Sequence, residues 1–274
     1  MTDPVRWIPV GDLAHAFAPD SNAPKPTEDL AGTDLELHLE NDQVVRVGFE
    51  SPTTLTWSVV EGTSRGKAAQ ESYFAAEVRE GIYFVDFVRQ TERATTVSLV
   101  LDRGAGIATA LLARLPEEAE CKVTLAQRIE QGEELTAVSA AFCCGVIDAP
   151  VTAESPRHLP TAEMVGARVV YTYSPTERYE HIYLNEHFYT WHCLAGSEKG
   201  LADTDRCHYY KIADNLYFFV WREKIVPTLG AVVVDFDAMK TVGKIFGYQG
   251  SDFEAVANFP VGARARILNV TERV

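Results

Sequence analysis

Four side chains in the second half of the chain could perform acid/base chemistry together. Tyr171 and Tyr173 are two residues apart, so both phenols should leave the same face of one strand. Glu223 follows the apolar run 216–221, whose alternating aromatic residues should place its carboxyl group on their inward face. A carboxyl group against an aromatic wall loses hydration, which raises its pKa and lets it carry a proton near neutral pH. We therefore predict that Glu223 donates or accepts a proton, that the two tyrosines anchor a polar end of the ligand, and that His192 assists.

Neighbouring strands supply further side chains that could bind a ligand. These candidate wall residues are Tyr183, Tyr189, Trp191, Tyr217, Phe219, Trp221 and His181. Each has an ordinary alternative, since a tyrosine in a strand usually packs with its hydroxyl at the rim and a charge beside Arg222 and Lys224 can be solvated. Their coincidence on one sheet face favours a binding pocket.

Other site chemistries find little support in the sequence. The histidines and cysteines of the second half form no Cys-x-x-Cys or His-x-x-x-His pair, so no metal site is predicted. No Gly-rich phosphate loop opens a helix, and no Gly-x-Ser-x-Gly motif is present. The sequence therefore predicts chemistry without a cofactor.

Charge and composition limit the partners and the compartment. A formal net charge of −14 over 274 residues opposes binding to nucleic acid or to an anionic membrane. No apolar run approaches the roughly 18 residues that span a bilayer, and the start of the sequence has no secretory signal pattern. Five cysteines, an odd number, are typical of reduced thiols. These features predict a cytoplasmic protein.

The elements that must position the site are short strands separated by turns. We predict an all-β chain of two tandem lipocalin/calycin-like antiparallel barrels. The boundaries are a proline-rich leader at 1–30 with a short helix near 11–17, a first barrel at 31–150, a linker at 151–162 and a second barrel at 163–274. Within this pattern, 121–129 reads as strand, whereas 117–120 and 252–258 read as short helical turns.

The two predicted barrels repeat one another. Thr56-Trp57 matches Thr190-Trp191, and 82–85 matches 216–219 at the same offset. Such a long period indicates a duplicated domain. The pair could act alone as a fused pseudo-dimer or assemble further into a homodimer.

The repeats differ at the positions that could do chemistry. The first has Ser58 where the second has His192, and Arg89 where the second has Glu223. The first barrel therefore lacks the acid/base set, which predicts a degenerate, structural role for it.

Several motifs of the second half resemble one known family. They are Tyr179–Tyr183, Tyr189–Cys193, Gly200–Asp205, Trp221–Pro227 and Gly243–Tyr248. The chain is similar to molybdenum cofactor biosynthesis protein F (MoaF), a two-domain family, and the resemblance covers both halves. The family name implies an accessory role in molybdenum cofactor metabolism.

The second repeat also resembles the phenolic acid decarboxylases. That resemblance implies a lipocalin-like barrel that works as a homodimer without a cofactor. Tyr171 and Tyr173 match the pair that holds the substrate carboxylate there, and Glu223 matches the family's proton-transfer residue. His192 stands where that family has an arginine, which puts decarboxylation in doubt.

Together these patterns predict a cofactor-free lyase or isomerase acting on a small aromatic or phenolic metabolite inside the second barrel. Two alternatives stay open. The chain could be a lipocalin-like binding protein without catalysis, because a fold does not fix a function. It could also be an accessory protein of molybdenum cofactor metabolism.

Overall fold

The structure, a computed structural model, describes residues 6–272. The first five residues of the predicted leader and the last two of the second barrel lie outside the described residues. The chain divides into two compact units. One contains the chain up to Pro24, the segment Leu115–Ser139 and the chain from Pro160 onward; the other contains Lys25–Arg114 and Ala140–Leu159.

The first barrel consists of eight antiparallel strands, each paired with its neighbour in sequence, and β1 pairs with β8 to close it. The strands are β1 (Asp34–Leu39), β2 (Val44–Phe49), β3 (Thr54–Glu61), β4 (Ala68–Arg79), β5 (Ile82–Val88), β6 (Thr95–Asp102), β7 (Ile107–Arg114) and β8 (Ser139–Ile147). Alternation directs Leu35, Leu37, Val47 and Trp57 into its core.

The second barrel repeats this order. After the two-residue strand β9 (Leu159–Pro160), its strands are β10 (Ala167–Thr172), β11 (Arg178–Tyr183), β12 (Phe188–Ala195), β13 (Ala202–Ala213), β14 (Leu216–Glu223), β15 (Thr228–Asp235), β16 (Lys240–Tyr248) and β17 (Val256–Val270). β10 pairs with β17, and β12 pairs with β13 to close the barrel. The predicted all-β fold of two tandem antiparallel barrels is confirmed.

Residues 6–272 contain three helices beside the strands: α1 (Val10–Phe17), α2 (Glu118–Cys121) and α3 (Leu125–Gln131). The expected helices near 11–17 and 117–120 are present as α1 and α2. No helix among the described residues is long and apolar enough to cross a membrane.

Two local predictions were wrong. The segment 121–129 is not a strand, because Thr124 and Gln127 form a reciprocal capping box that starts α3, and Gly132, with a φ of 70°, ends it. The segment 252–258 is not a helical turn, because its last part pairs with β16 as the start of β17. In both places tertiary or capping hydrogen bonds override the local pattern.

Candidate active site in the second barrel

The carboxyl group of Glu223 lies inside the second barrel, at a small cavity. The residue as a whole is only partly buried, because it ends β14, but its side chain turns inward. The cavity has a volume of about 30 Å³. It is lined by Leu13, Phe17, Tyr173, Tyr179, His181, Tyr189, Trp191, Glu198, Trp221, Glu223 and Ile245. Among the described residues, this lining contains two carboxyl groups and no lysine or arginine.

Burial raises the pKa of Glu223 well above its ordinary value. The negative charges of Asp205 and Glu198 add to the rise, whereas a hydrogen bond from Trp221 Nε1 to Glu223 Oε1, 2.9 Å long, opposes it. One indole donor does not offset desolvation together with two like charges. The folded protein therefore favours the protonated form of this side chain more strongly than water does.

Asp205, on β13, has a different environment. It accepts hydrogen bonds from Trp191 Nε1 at 3.0 Å and from the backbone N–H of Lys224 at 3.1 Å, and Lys224 Nζ lies 3.3 Å away. Burial raises its pKa, and the Lys224 ammonium opposes that rise. Because Asp205 has a cation and Glu223 has none, the two carboxyl groups are suited to different protonation states.

Both predicted tyrosines face the interior, as their spacing requires. Tyr171 forms a 2.7 Å hydrogen bond between its hydroxyl and that of Tyr183 on β11. Tyr173, just beyond β10, lines the cavity that contains the Glu223 carboxyl group. Burial raises the pKa of both phenols, so they remain neutral hydrogen-bonding groups.

His192 does not lie with these residues. Its side chain is 41% exposed, and Nδ1 is 3.7 Å from Glu180 on the outer face. Since Trp191 points inward, the strand's alternation sends the next residue outward. The assisting role given to His192 therefore lacks the geometry it needs.

The imidazole at the cavity is that of His181. It pairs in register with Trp191, is 4% exposed, and packs against Tyr171 with ring centroids 4.8 Å apart. Burial lowers its pKa to about 3, so the ring is neutral. Within residues 6–272, Nδ1 has no hydrogen-bond partner. A neutral, unpaired ring nitrogen can donate to or accept from a ligand.

The predicted wall residues occupy different depths. Tyr189, Trp191 and Trp221 line the cavity. Tyr183 and Phe219 form a layer beneath it, with ring centroids 5.2 Å apart. Tyr217 does not line the cavity; its hydroxyl donates to Glu163 at 2.8 Å.

Comparison with known proteins identifies the family. Residues 5–117 match the MoaF N-terminal domain, and residues 158–271 match the MoaF C-terminal domain. The chain belongs to the MoaF family. It is 44% identical to Protein MoaF of Klebsiella aerogenes over 276 aligned positions, which cover 99% of this chain and 98% of that protein.

One solved structure resembles part of this MoaF-family chain. It is described as a putative beta-lactamase from Burkholderia vietnamiensis, with 13% identity and a TM-score of 0.33. It covers 46% of this chain and 99% of its own.

Three features of the MoaF-family site were missed by sequence reasoning. Asp205 alternates along β13 with Cys207 and Tyr209, which face the interior, so this alternation could have predicted that Asp205 is buried. Glu198 lies in the turn after β12, where no local pattern signals a site residue. Phe17 of α1 packs against Tyr173, with ring centroids 4.9 Å apart, a contact between distant parts of the sequence.

Among the described residues, no group of three or more His, Cys, Asp or Glu side chains could hold a metal ion.

Proposed function

We propose that the second barrel binds a small aromatic or phenolic metabolite and transfers a proton within it without a cofactor, as a lyase or isomerase does. The main support for this proposal is the Glu223 carboxyl group, which is buried at a cavity lined by aromatic rings. Its pKa is raised, and desolvation is the largest cause. Perturbed carboxyl groups in such pockets are suited to general acid/base chemistry.

Glu223 would act first as the acid. Its proton passes to a basic carbon or oxygen of the ligand, which leaves a carboxylate held by the 2.9 Å hydrogen bond from Trp221 Nε1. A buried carboxylate with a single donor is poorly stabilised, so it readily takes a proton back from a second position of the ligand. Loss from one position and gain at another is an isomerisation.

The ligand should be neutral. Among the described residues, the cavity lining has no lysine or arginine that could pair with an anionic head group, so an anion would lose its hydration there without gaining a cation. This supports a phenol or enol over a free carboxylic acid, and it disfavours a phosphate-bearing compound. Tyr173 and His181 are the groups that would orient the ligand's polar end.

Access to the cavity would require movement of α1. A volume of about 30 Å³ is close to the share of one water molecule, so it cannot admit an aromatic ring as it stands. Phe17 lines this cavity and also a second one of about 260 Å³. We suggest that the ligand ring takes the place of the Phe17 ring.

Ligand recovery tests this proposal against the alternatives. The full chain should be purified, its bound compounds extracted and identified by mass spectrometry, and each returned to fresh protein. We expect a neutral aromatic compound that wild-type protein converts to an isomer or a cleavage product. Glu223→Gln should bind the same compound and return it unchanged. Recovery of the compound unchanged from the wild type would instead indicate a carrier, and recovery of a phosphorylated compound would contradict the proposed substrate class.

A further inference from the structure

The first barrel contains a cavity that is larger than the one at Glu223. Its volume is about 390 Å³, and it is partly open to solvent. Aliphatic side chains form half of the lining, among them Leu37, Val45, Val59, Leu99 and Ala110. Pockets that bind small molecules commonly measure about 300–1,000 Å³.

Substitutions between the two repeats explain why the first barrel is hollow. Equivalent positions differ by a constant 134 residues, and smaller residues of the first barrel replace larger rings of the second. The equivalent pairs are Leu37 and Tyr171, Leu39 and Tyr173, Val45 and Tyr179, Val47 and His181, Val85 and Phe219. Each replacement removes ring atoms from the interior and leaves space. The first barrel has lost the acid/base set, but it has gained volume.

Two buried donors at this cavity have no acceptor in the part of the chain that the structure describes. Trp57 is 7% exposed, and its Nε1 lacks a hydrogen-bond partner among residues 6–272, as does Nε of Arg89. The Arg89 guanidinium lies over the Trp57 ring, with Cζ 4.3 Å from the ring centroid. In the second barrel the equivalent Trp191 donates to Asp205 at 3.0 Å. Unpaired buried donors are costly and mark a place where a ligand acceptor can bind.

The charges at this cavity favour an anion. Arg89 Nη2 is 2.9 Å from Glu92 Oε1, and Lys67 Nζ is 3.8 Å from the same oxygen. Two cations and one carboxylate leave a formal excess of one positive charge at this pocket. The Nε edge of Arg89 is not used by Glu92, so a carboxylate can bind it without displacing that pair.

We propose that the first barrel is a second ligand site, which binds a medium-chain aliphatic carboxylate. The head group accepts hydrogen bonds from Arg89 Nε and Trp57 Nε1, with Lys67 adding attraction. A planar guanidinium and an indole N–H fit the two oxygens of a carboxylate. The alkyl chain lies against the leucine and valine walls, where its burial supplies most of the affinity. This site is independent of proton transfer at Glu223.

Calorimetric titration of the full chain with decanoate and with 1-decanol tests this site. Wild-type protein should bind decanoate more tightly than 1-decanol. Arg89→Gln should weaken decanoate binding by about tenfold or more, because a hydrogen bond to a charged group is lost, and should change 1-decanol binding by less than about twofold. Glu223→Gln, in the other barrel, is the matched control and should bind decanoate as the wild type does.

A second variant separates the site from any general effect of Arg89 on folding. Ala110→Phe fills the cavity without changing a charge, and it should abolish binding of both ligands while the circular dichroism spectrum and Tm stay near wild type. Three results would overturn the proposal: no decanoate binding by the wild type, equal decanoate affinity in Arg89→Gln, or unchanged binding in a folded Ala110→Phe. Tighter binding of 1-naphthoate than of decanoate would contradict the aliphatic specificity.

Discussion

Glu223→Gln should gain stability relative to the wild type as the pH rises. The pKa of Glu223 is raised in the folded protein by burial and by Asp205 and Glu198, so the folded state keeps a proton that the unfolded chain releases above about pH 4.3. That stabilising contribution is complete below the unfolded pKa and is lost as the pH rises towards the folded pKa. Glutamine has no such proton to lose, so its variant should gain up to about 1.4 kcal/mol for each pH unit in this window.

Denaturant unfolding of both proteins between pH 5 and pH 8 measures this difference directly. The free energies of unfolding should diverge in favour of the variant as the pH rises through this range, until the pH reaches the pKa of Glu223 in the folded protein. Glu186→Gln, at an exposed position of the β11–β12 turn, is the matched control and should stay within about 0.5 kcal/mol of wild type throughout. A constant difference between wild type and Glu223→Gln would show that Glu223 is ionised in the folded protein.

Phe17→Ala should destabilise the protein by about 3–5 kcal/mol and create an aromatic binding site. Phe17 is 4% exposed and packs between Tyr173 and Tyr179, with ring centroids 4.9 Å and 5.9 Å away. It lines the two cavities of about 30 Å³ and 260 Å³, so its truncation joins them. A phenol that fills the vacated space should restore stability, by about 2.7 kcal/mol at one hundred times its Kd.

Thermal unfolding with and without p-cresol checks this second expectation. The Tm of Phe17→Ala should rise with p-cresol more than the Tm of the wild type, and cyclohexanol should have a smaller effect because it lacks an aromatic ring. Phe188→Ala is a suitable control, because Phe188 is 39% exposed in the same barrel. If p-cresol shifted the three proteins equally, Phe17 would not occupy a ligand position.

Alternation accounts for most of what the sequence could predict. Successive side chains of a strand alternate between its two faces, and this alternation predicted that Tyr171, Tyr173 and Glu223 face the interior. All three side chains point there. The same rule should have excluded His192, since Trp191 and its neighbour cannot both face inward. His181, which pairs in register with Trp191, is the histidine that alternation directs into the barrel.

Features that depend on many distant residues could not be predicted. The contact of Phe17 with the second barrel joins residues more than a hundred positions apart, and no local pattern encodes it. The pairing of Asp205 with Lys224 depends on the register between β13 and β14. The cavity of the first barrel is the sum of several ring-to-aliphatic replacements, and a single comparison such as Arg89 with Glu223 does not reveal volume. The sequence therefore favoured a structural role for the first barrel, whereas the cavity of that barrel and its buried hydrogen-bond donors support a binding site.

Measuring the protonation state of Glu223 tests directly whether this side chain can act as the acid. Infrared difference spectra between wild-type protein and Glu223→Gln, recorded as a function of pH, isolate the carbonyl band of this carboxyl group. Burial in an aromatic cavity beside Asp205 and Glu198 predicts that the band of the protonated acid persists at pH 7 and disappears only at higher pH. A carboxylate band at pH 7, lost on acidification near pH 4, would contradict the proposed role of Glu223 as the acid.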